Sequence, residues 1–169
     1  MSRKLILFWC LMGSLTALGL IVNPVSAISN NQETAIREHC DAIRENLKEV
    51  QKDDARARVY LGSFYERILT NYITPLNVRL VENNLSTPEL VENQNKIADT
   101  RTLFNSDFVS YQQDLEELVT MNCREKTEDF YNKLVKVRQK RKIVEQDTLK
   151  MRSLISEHVK LANQIKGKL

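Results

Sequence analysis

The chain has 169 residues, with 25 basic and 22 acidic side chains, a formal charge of +3, and only 4 Gly and 3 Pro. This length is sufficient for one well-buried domain and too short for two. The low Gly and Pro content favours an all-α fold. Once Arg3 and Lys4 of the N-terminal segment are removed from the 25 basic residues, 23 remain against 22 acidic ones, so net charge indicates no particular partner.

The first 27 residues have the pattern of a secretory signal segment. A basic start precedes an apolar run over residues 5–22, Pro24 breaks it, and small residues up to Ala27 fit a cleavage site. The alternative is an uncleaved membrane anchor, because the apolar run is of borderline length for spanning a bilayer. Both interpretations export residues 28–169 to an extracellular, periplasmic or cell-surface location.

A first long helix is predicted from about residue 31 to 74, with an extension to 83. Asn30 is the expected N-cap, with Glu33 completing a capping box, and Pro75 should kink or end the helix. Alternating spacings of four and three predict a coiled-coil seam on this helix. The seam residues are Ile36, Cys40, Ile43, Leu47, Val50, Asp54, Ala57, Leu61, Phe64 and Ile68.

Two further helices are predicted at 88–121 and 123–166. Thr87-Pro88-Glu89 is a strong start signal for the second, and Cys123 lies at the expected start of the third, with Thr127 as a competing start. The second seam comprises Ile97, Arg101, Phe104, Phe108, Tyr111, Leu115, Leu118 and Asn122. The third comprises Phe130, Leu134, Val137, Arg141, Val144, Thr148, Met151, Ile155, His158, Ala162 and Ile165.

Three helices joined by short turns must run up, down and up. The predicted fold class is therefore all-α, an elongated antiparallel three-helix bundle of coiled-coil type behind the signal segment. Cys40 and Cys123 then lie at about the same height, at the lower end of the bundle. Because export makes a disulfide the default for an even pair, we expect a Cys40–Cys123 bond; two buried thiols are the alternative.

Asp54 is a charged residue within the first seam. Counted up from the cysteines, it lies level with residues 137–141 of the third helix. We expect Asp54 to pair with Arg141, or with Arg138 beside it. Such a pair adds little net stability but can fix the register of the helices.

The third helix carries a run of basic residues without an intervening acid. The expected partner stretch, residues 103–112, offers only Asp107, and the first helix offers Asp53 and Asp54. One interpretation is a contact face for an anionic polymer such as cell-wall polymer, lipid head groups or nucleic acid. The plainer interpretation is a solvated face partly neutralised by the first helix. The run comprises Lys133, Lys136, Arg138, Lys140, Arg141 and Lys142.

No catalytic, cofactor-binding or metal-binding residue is predicted. A carboxylate-bridged metal bundle needs Glu three residues before His, and Ile36 and Ile155 stand there before His39 and His158. The chain has no Gly-rich phosphate loop, no Gly-x-Ser-x-Gly and no Cys-x-x-Cys. Long bundles offer no deep cleft, so no small-molecule substrate is expected.

Several short motifs resemble those of one group of bacterial proteins. They are Phe64-Tyr65-Glu66-Arg67-Ile68, Asn84-Leu85-Ser86-Thr87, Asn122-Cys123-Arg124, Phe130-Tyr131 and Val137-Arg138. The pattern is similar to uncharacterised exported helical, coiled-coil proteins of candidate-phyla-radiation bacteria, Saccharibacteria among them. Those proteins turn through a glycine where Asn83-Asn84 stands here. The resemblance implies an exported protein of a small-genome bacterium and no known activity.

The sequence therefore predicts an exported, non-enzymatic cell-envelope or surface protein that interacts with a protein or envelope partner or serves a structural role. One alternative is a self-associating homo-oligomer that buries leftover apolar residues. These are Val59, Tyr60, Leu69, Tyr72, Ile73 and Leu103. Another alternative is a binder of anionic polymer through the basic run, whose binding would fall steeply with salt.

Overall fold

The computed structural model describes residues 28–167, which are helical apart from short connections and contain no strand. The predicted all-α class is confirmed, and the helices pack into a bundle. The signal segment expected at residues 1–27 lies outside the described residues. The elements are α1 (Asn30–Glu38), α2 (Cys40–Ile68), a π-helical turn (Leu69–Ile73), α3 (Thr74–Glu82), α4 (Pro88–Thr120) and α5 (Thr127–Lys166).

The cap of the first helix lies one residue before the predicted position. Ser29 Oγ accepts a hydrogen bond from Gln32 N at 3.3 Å, and Gln32 Oε1 accepts one from Ser29 N at 3.1 Å. These two bonds form a capping box. The predicted cap of Asn30 with Glu33 was therefore wrong, because Ser29 and Gln32 complete the same motif upstream.

The first helix is interrupted twice; the break at His39 was not predicted, whereas a kink or an end near Pro75 was. His39 has φ −103° and ψ 16°, which separates α1 from α2. The π turn ends at Ile73, two residues before Pro75, and the Thr74 N–H donates a hydrogen bond to Leu69 O, five residues back. Because proline cannot donate a backbone hydrogen bond, the widened turn lets the chain stay helical through Pro75 to Glu82. We refer to residues 30–82 as the first arm.

The turn between α4 and α5 is longer than predicted. Helix α4 begins at Pro88 as expected, but α5 begins at Thr127 rather than at Cys123. Asn122 Oδ1 accepts hydrogen bonds from the backbone N–H groups of Arg124, at 3.1 Å, and Glu125, at 3.3 Å. The asparagine thus caps the turn itself, and the competing start at Thr127 is the one used.

Helix α4 runs antiparallel to both of its neighbours. Along α5, Lys140 bonds Ser110 and the later His158 bonds the earlier Asn93 of α4. Along the first arm, Asp54 contacts Tyr111 and the later Asn77 contacts the earlier Leu90. The first arm and α5 are consequently parallel to each other, with α4 packed against both.

The core is built mainly by α4 and α5. The predicted seam residues of α4 are buried from Ile97 to Leu118, except for Arg101, which is half-buried. The last predicted seam residue, Asn122, lies in the turn after α4. Edge-to-face ring contacts join Tyr65, Phe104, Phe108 and Tyr111, with centroids 5.5–5.8 Å apart. Helix α5 adds residues from its predicted seam. These are Phe130, Val137, Val144, Met151, His158 and Ile165.

Helix α2 contributes much less to the core than its seam predicted. Only Cys40 and Tyr65 are buried in α2, and Tyr65 takes the inward position expected of Phe64, which is exposed. Most of the apolar α2 seam residues are partly buried, because α2 lies against the outside of the α4–α5 pair. They are Ile43, Leu47, Val50, Leu61 and Ile68.

Candidate functional site

A disulfide joins the first arm to the turn before α5. Cys40 and Cys123 are bonded, with their Cα atoms 5.7 Å apart, and both residues are buried. Beside this bond, Arg124 Nη2 lies 2.6 Å from Asp41 Oδ2, and Arg37 Nη1 donates to Arg124 O at 2.9 Å. The predicted cysteine pairing is confirmed, and polar contacts reinforce it at the surface.

The basic run of α5 converges on one buried carboxylate of α4. Lys133 Nζ lies 2.7 Å from Asp114 Oδ1, and Lys140 Nζ lies 2.5 Å from Asp114 Oδ2. Lys136 Nζ is 3.4 Å from the same Oδ2, and Lys133 also pairs with Glu117. We call these five residues the Asp114 cluster.

Opposing effects set the pKa of Asp114. Burial alone would raise the pKa of this carboxyl, because it disfavours the charged form. Hydrogen bonds from the ammonium groups of Lys133, Lys140 and Lys136 outweigh burial and hold the pKa of Asp114 well below its usual range. Three lysines of the predicted contact face thus neutralise a charge inside the bundle.

Two residues of the basic run stay free of ion pairs within the described chain, namely Arg138 and Lys142. Together with Arg141 and Glu145 they line a shallow surface depression. The acid that the run contacts, Asp114, lies just beyond residues 103–112, the stretch in which Asp107 is the only acid.

Asp54 links all three packed segments. Its Oδ1 accepts a hydrogen bond from Arg141 Nη2 of α5 at 3.0 Å, and its Oδ2 accepts one from the Tyr111 hydroxyl of α4 at 2.6 Å. Burial, with the hydrogen bond to Asp54, raises the pKa of Tyr111. The predicted contact of Asp54 with Arg141 is present, and Tyr111 is a partner that the sequence did not predict.

Asp54→Leu is expected to lower the free energy of unfolding by about 1–3 kcal/mol, because it leaves the buried Tyr111 hydroxyl without an acceptor. If the carboxylate also fixes register, the oligomeric state changes as well. Thermal melts and light scattering measure both effects. Tyr111→Phe is the control, since it keeps the ion pair and should cost less. An unchanged melting temperature with an unchanged mass, or a gain in stability, would show that Asp54 does not set the register.

Asp147 of α5 lies near a carboxylate of α4, Asp107. Asp147 Oδ2 is buried without a donor from the described residues. Burial and repulsion from Asp107 of α4 raise the pKa of Asp147, and Lys150 opposes this only in part. The charged form of Asp147 is therefore unfavourable in the folded chain.

Asp147→Asn is expected to stabilise the protein near neutral pH by up to about 1 kcal/mol. The gain is small because solvent screens the repulsion between the partly exposed carboxylates of Asp147 and Asp107. The pKa of Asp147 is higher in the folded chain than in the unfolded chain. The charged carboxylate therefore destabilises the wild type fully at pH values above the folded-state pKa, and this destabilisation disappears below the unfolded-state pKa of about 4. Melting curves across this range should show the gain vanish in acid. Exposed Asp99→Asn is the control; an equal gain there, or a gain independent of pH, would contradict the assignment.

Comparison with known proteins assigns the chain to no family. No protein-family model, no curated protein and no solved structure matches it. Between residues 28 and 167, none of the helices combines the length and the apolarity needed to cross a membrane. The same residues contain no group of three or more His, Cys, Asp or Glu side chains arranged to hold a metal ion.

Helix α2 exposes an apolar face. Val59 and Tyr60 are 69% and 68% exposed, and the Tyr60 ring stacks on Phe64 with centroids 6.5 Å apart. Arg56 and Arg67 border this face around a shallow depression. We call Val59, Tyr60 and Phe64 the α2 apolar face.

The other residues expected to be left over for self-association divide into two groups. Tyr72 and Leu103 are exposed, as predicted. Leu69 and Ile73 are buried, so the expectation that they remain available was wrong. The π turn carries both residues, and its altered helical phase directs them into the core.

A cavity of about 300 Å³ lies between the π turn and α5. Its wall includes His158, which is 3% exposed and whose Nδ1 lies 3.0 Å from Asn93 Oδ1. The sequence had placed His158 at the edge of the seam and had predicted no cleft. His39, expected to be exposed, is exposed and lies at the break between α1 and α2.

The Asp114 cluster could have been predicted by counting the same number of residues along α4 and α5 away from the turn that joins them. Asp114 lies as far before the end of α4 at Thr120 as Lys133 lies after the start of α5 at Thr127. The four-three pattern draws attention to apolar residues and passes over Asp114, which directly precedes the seam residue Leu115. The cavity gave no such signal, because the sequence did not predict the π turn that borders it.

Proposed function

We propose that the chain is an exported, non-enzymatic interaction protein of the cell envelope or cell surface. In this proposal residues 1–27 direct export, and residues 28–169 form an elongated antiparallel three-helix bundle cross-linked by Cys40–Cys123. The bundle presents a fixed surface to another protein, for which a second copy of the chain is the first candidate.

The α2 apolar face carries this proposal. An exposed aromatic pair bordered by arginines matches the composition of protein interfaces, which are enriched in Tyr, Phe and Arg. Exposing Val59 and Tyr60 to water is unfavourable, and contact with a partner would remove this cost. The alternative, an anionic-polymer binder, has less support because the Asp114 cluster and Asp54 engage four of the six basic residues.

The test is light scattering on residues 28–169 across a salt series, with and without reductant. A homodimer that is insensitive to salt, and that Val59→Ser with Tyr60→Ser disrupts, would support the proposal. Val78→Ser with Val81→Ser is the matched control, since both residues are exposed on α3. These substitutions should leave the dimer intact.

The alternative makes the opposite prediction for salt. A monomer that binds a polyanion at low salt, loses this binding steeply as salt rises and fails to bind after Arg138→Ser with Lys142→Ser would favour the anionic-polymer function. A monomer whose mass is unchanged in every variant and which binds no polyanion would contradict self-association through α2.

A further inference from the structure

The connection between α3 and α4 contains a three-residue motif that is characteristic of one covalent modification. Asn84, Leu85 and Ser86 have the pattern Asn-x-Ser, with x other than proline, which is the acceptor motif of N-glycosylation. No other asparagine of the chain is followed two residues later by Ser or Thr. Glu82 lies two residues before Asn84, so the segment also has the acid that the stricter motif of bacterial transferases requires.

The motif lies outside the helices. Helix α3 ends at Glu82 and α4 begins at Pro88, so residues 83–87 form the connection, and Asn84 is exposed there. A transferase that reads this motif must contact both the asparagine amide and the hydroxyl of Ser86. Residues two apart on an α-helix do not face the same side, so a helical copy of the motif could not present both groups together. The connection is free of this restriction.

The two adjacent asparagines of this connection differ in their surroundings. Asn83 Nδ2 donates to Arg79 O at 2.7 Å, which holds its amide against α3. The side chain of Asn84 makes no hydrogen bond to any residue that the structure describes. Its φ of 57° is the left-handed conformation that glycine usually supplies after a helix, and Leu85 N donates to Leu80 O at 2.8 Å to close the turn. Asn84 thus meets the demand of the backbone and adds an accessible amide.

The position of Asn84 is compatible with the function proposed above. Glycosylation requires that the chain reach the compartment of the transferase, so this inference rests on the export part of that proposal. The Cys40–Cys123 bond is typical of exported chains. Asn84 lies 20 residues beyond Phe64 of the α2 apolar face. At the rise of a helix this is roughly 30 Å, so a glycan would be attached well away from that face.

We propose that Asn84 is a site of N-linked glycosylation, modified by an oligosaccharyltransferase with a lipid-pyrophosphate-linked oligosaccharide as the donor. In this reaction Asn84 Nδ2 forms a bond to C1 of the first sugar, and the bond between C1 and the pyrophosphate oxygen breaks. The lipid pyrophosphate leaves with the electron pair of that bond, and the amide nitrogen loses one proton to solvent. The glycan is then carried at the end of the bundle opposite the disulfide.

The test incubates the folded, oxidised chain with a lipid-linked oligosaccharide and a purified oligosaccharyltransferase that reads the tripeptide alone. Mass spectrometry of the intact chain and of its peptides measures the product. We expect the wild type to gain one oligosaccharide, at Asn84. Ser86→Ala should abolish this gain, and Ser86→Thr should retain it because threonine also supplies the hydroxyl. A wild type that gains no mass, or gains it only after tryptic digestion, would overturn the site, as would a gain that persists in Ser86→Ala.

A matched variant tests whether the connection, rather than the tripeptide alone, determines modification. Lys48→Ser creates a second Asn-Leu-Ser tripeptide at residues 46–48, within α2, where both Asn46 and Lys48 are exposed. We expect the folded variant to gain a single glycan, at Asn84, whereas its tryptic peptides should accept glycans at both tripeptides. Equal modification of Asn46 and Asn84 in the folded variant would overturn the role of the connection.

These measurements separate the site from the proposed function. The transferase and the donor are supplied to the purified chain, so the result depends neither on export nor on self-association. A failure at Asn84 therefore refutes the glycosylation site alone, whereas the light-scattering test of the α2 apolar face does not involve Asn84.

Discussion

Replacing Cys40 and Cys123 together by alanine is expected to lower the free energy of unfolding by roughly 4 kcal/mol. The disulfide joins residues separated by 83 positions, so it removes much of the freedom of the unfolded chain. The bond also fixes the position of α2 at the end where the preceding helix α1 is interrupted. Chemical denaturation of the oxidised wild type and of the double variant measures the difference.

Reductant provides the matched control for this prediction. It should destabilise the wild type by a similar amount and leave the Cys40→Ala, Cys123→Ala variant unaffected. If reductant has no effect on the wild type, or if the double variant melts at the wild-type temperature, the cross-link does not contribute to stability as we expect.

Asp114→Asn is expected to lower the free energy of unfolding by about 3 kcal/mol at neutral pH. This value is at the lower end of the range for breaking a buried ion pair, because the three lysines remain partly exposed to solvent. The amide retains the shape of the side chain but removes the charge that Lys133, Lys136 and Lys140 share. Equilibrium unfolding at neutral pH measures the loss. The control is Lys136→Met, which removes the most exposed of the three ammonium groups and should cost less than about 1 kcal/mol.

The same variant has a defined pH dependence. The folded-state pKa of Asp114 is depressed, so its stabilisation is complete above the unfolded carboxyl pKa of about 4 and is lost as pH falls toward the folded value. The gap between wild type and Asp114→Asn should therefore narrow in acid. A gap that is constant across pH would indicate that shape or packing, rather than charge, explains the loss.

The spacing of apolar residues predicted the packing of α4 and α5 better than that of α2. Helix α4 contacts both neighbours, so its buried side follows the four-three pattern closely, as Phe104 and Leu115 show. Helix α2 packs on one side only, and its pattern cannot tell a fully buried position from a half-buried one. For this reason Phe64, expected inside, is exposed, and the neighbouring Tyr65 is buried.

The contacts of the candidate sites were predictable where a simple length argument applied. Equal heights along straight helices identified Cys40 with Cys123 and Asp54 with Arg141. Contacts that depend on a local change of helical geometry were not predictable. The effect of Pro75 was expected to be a kink or an end, and the actual π turn changes which residues face inward and borders the cavity at His158.

The position of the disulfide has a consequence for how copies of the chain can associate. Helix α2 contributes few buried residues, so the first arm can detach from α4 and α5 at lower cost than those helices can separate. A detached arm that packs onto a neighbouring molecule produces a domain-swapped dimer. Because Cys123 holds the arm at the base of its own α4–α5 pair, the arm returns to that pair. We therefore expect oxidation to protect the chain against exchange of this segment.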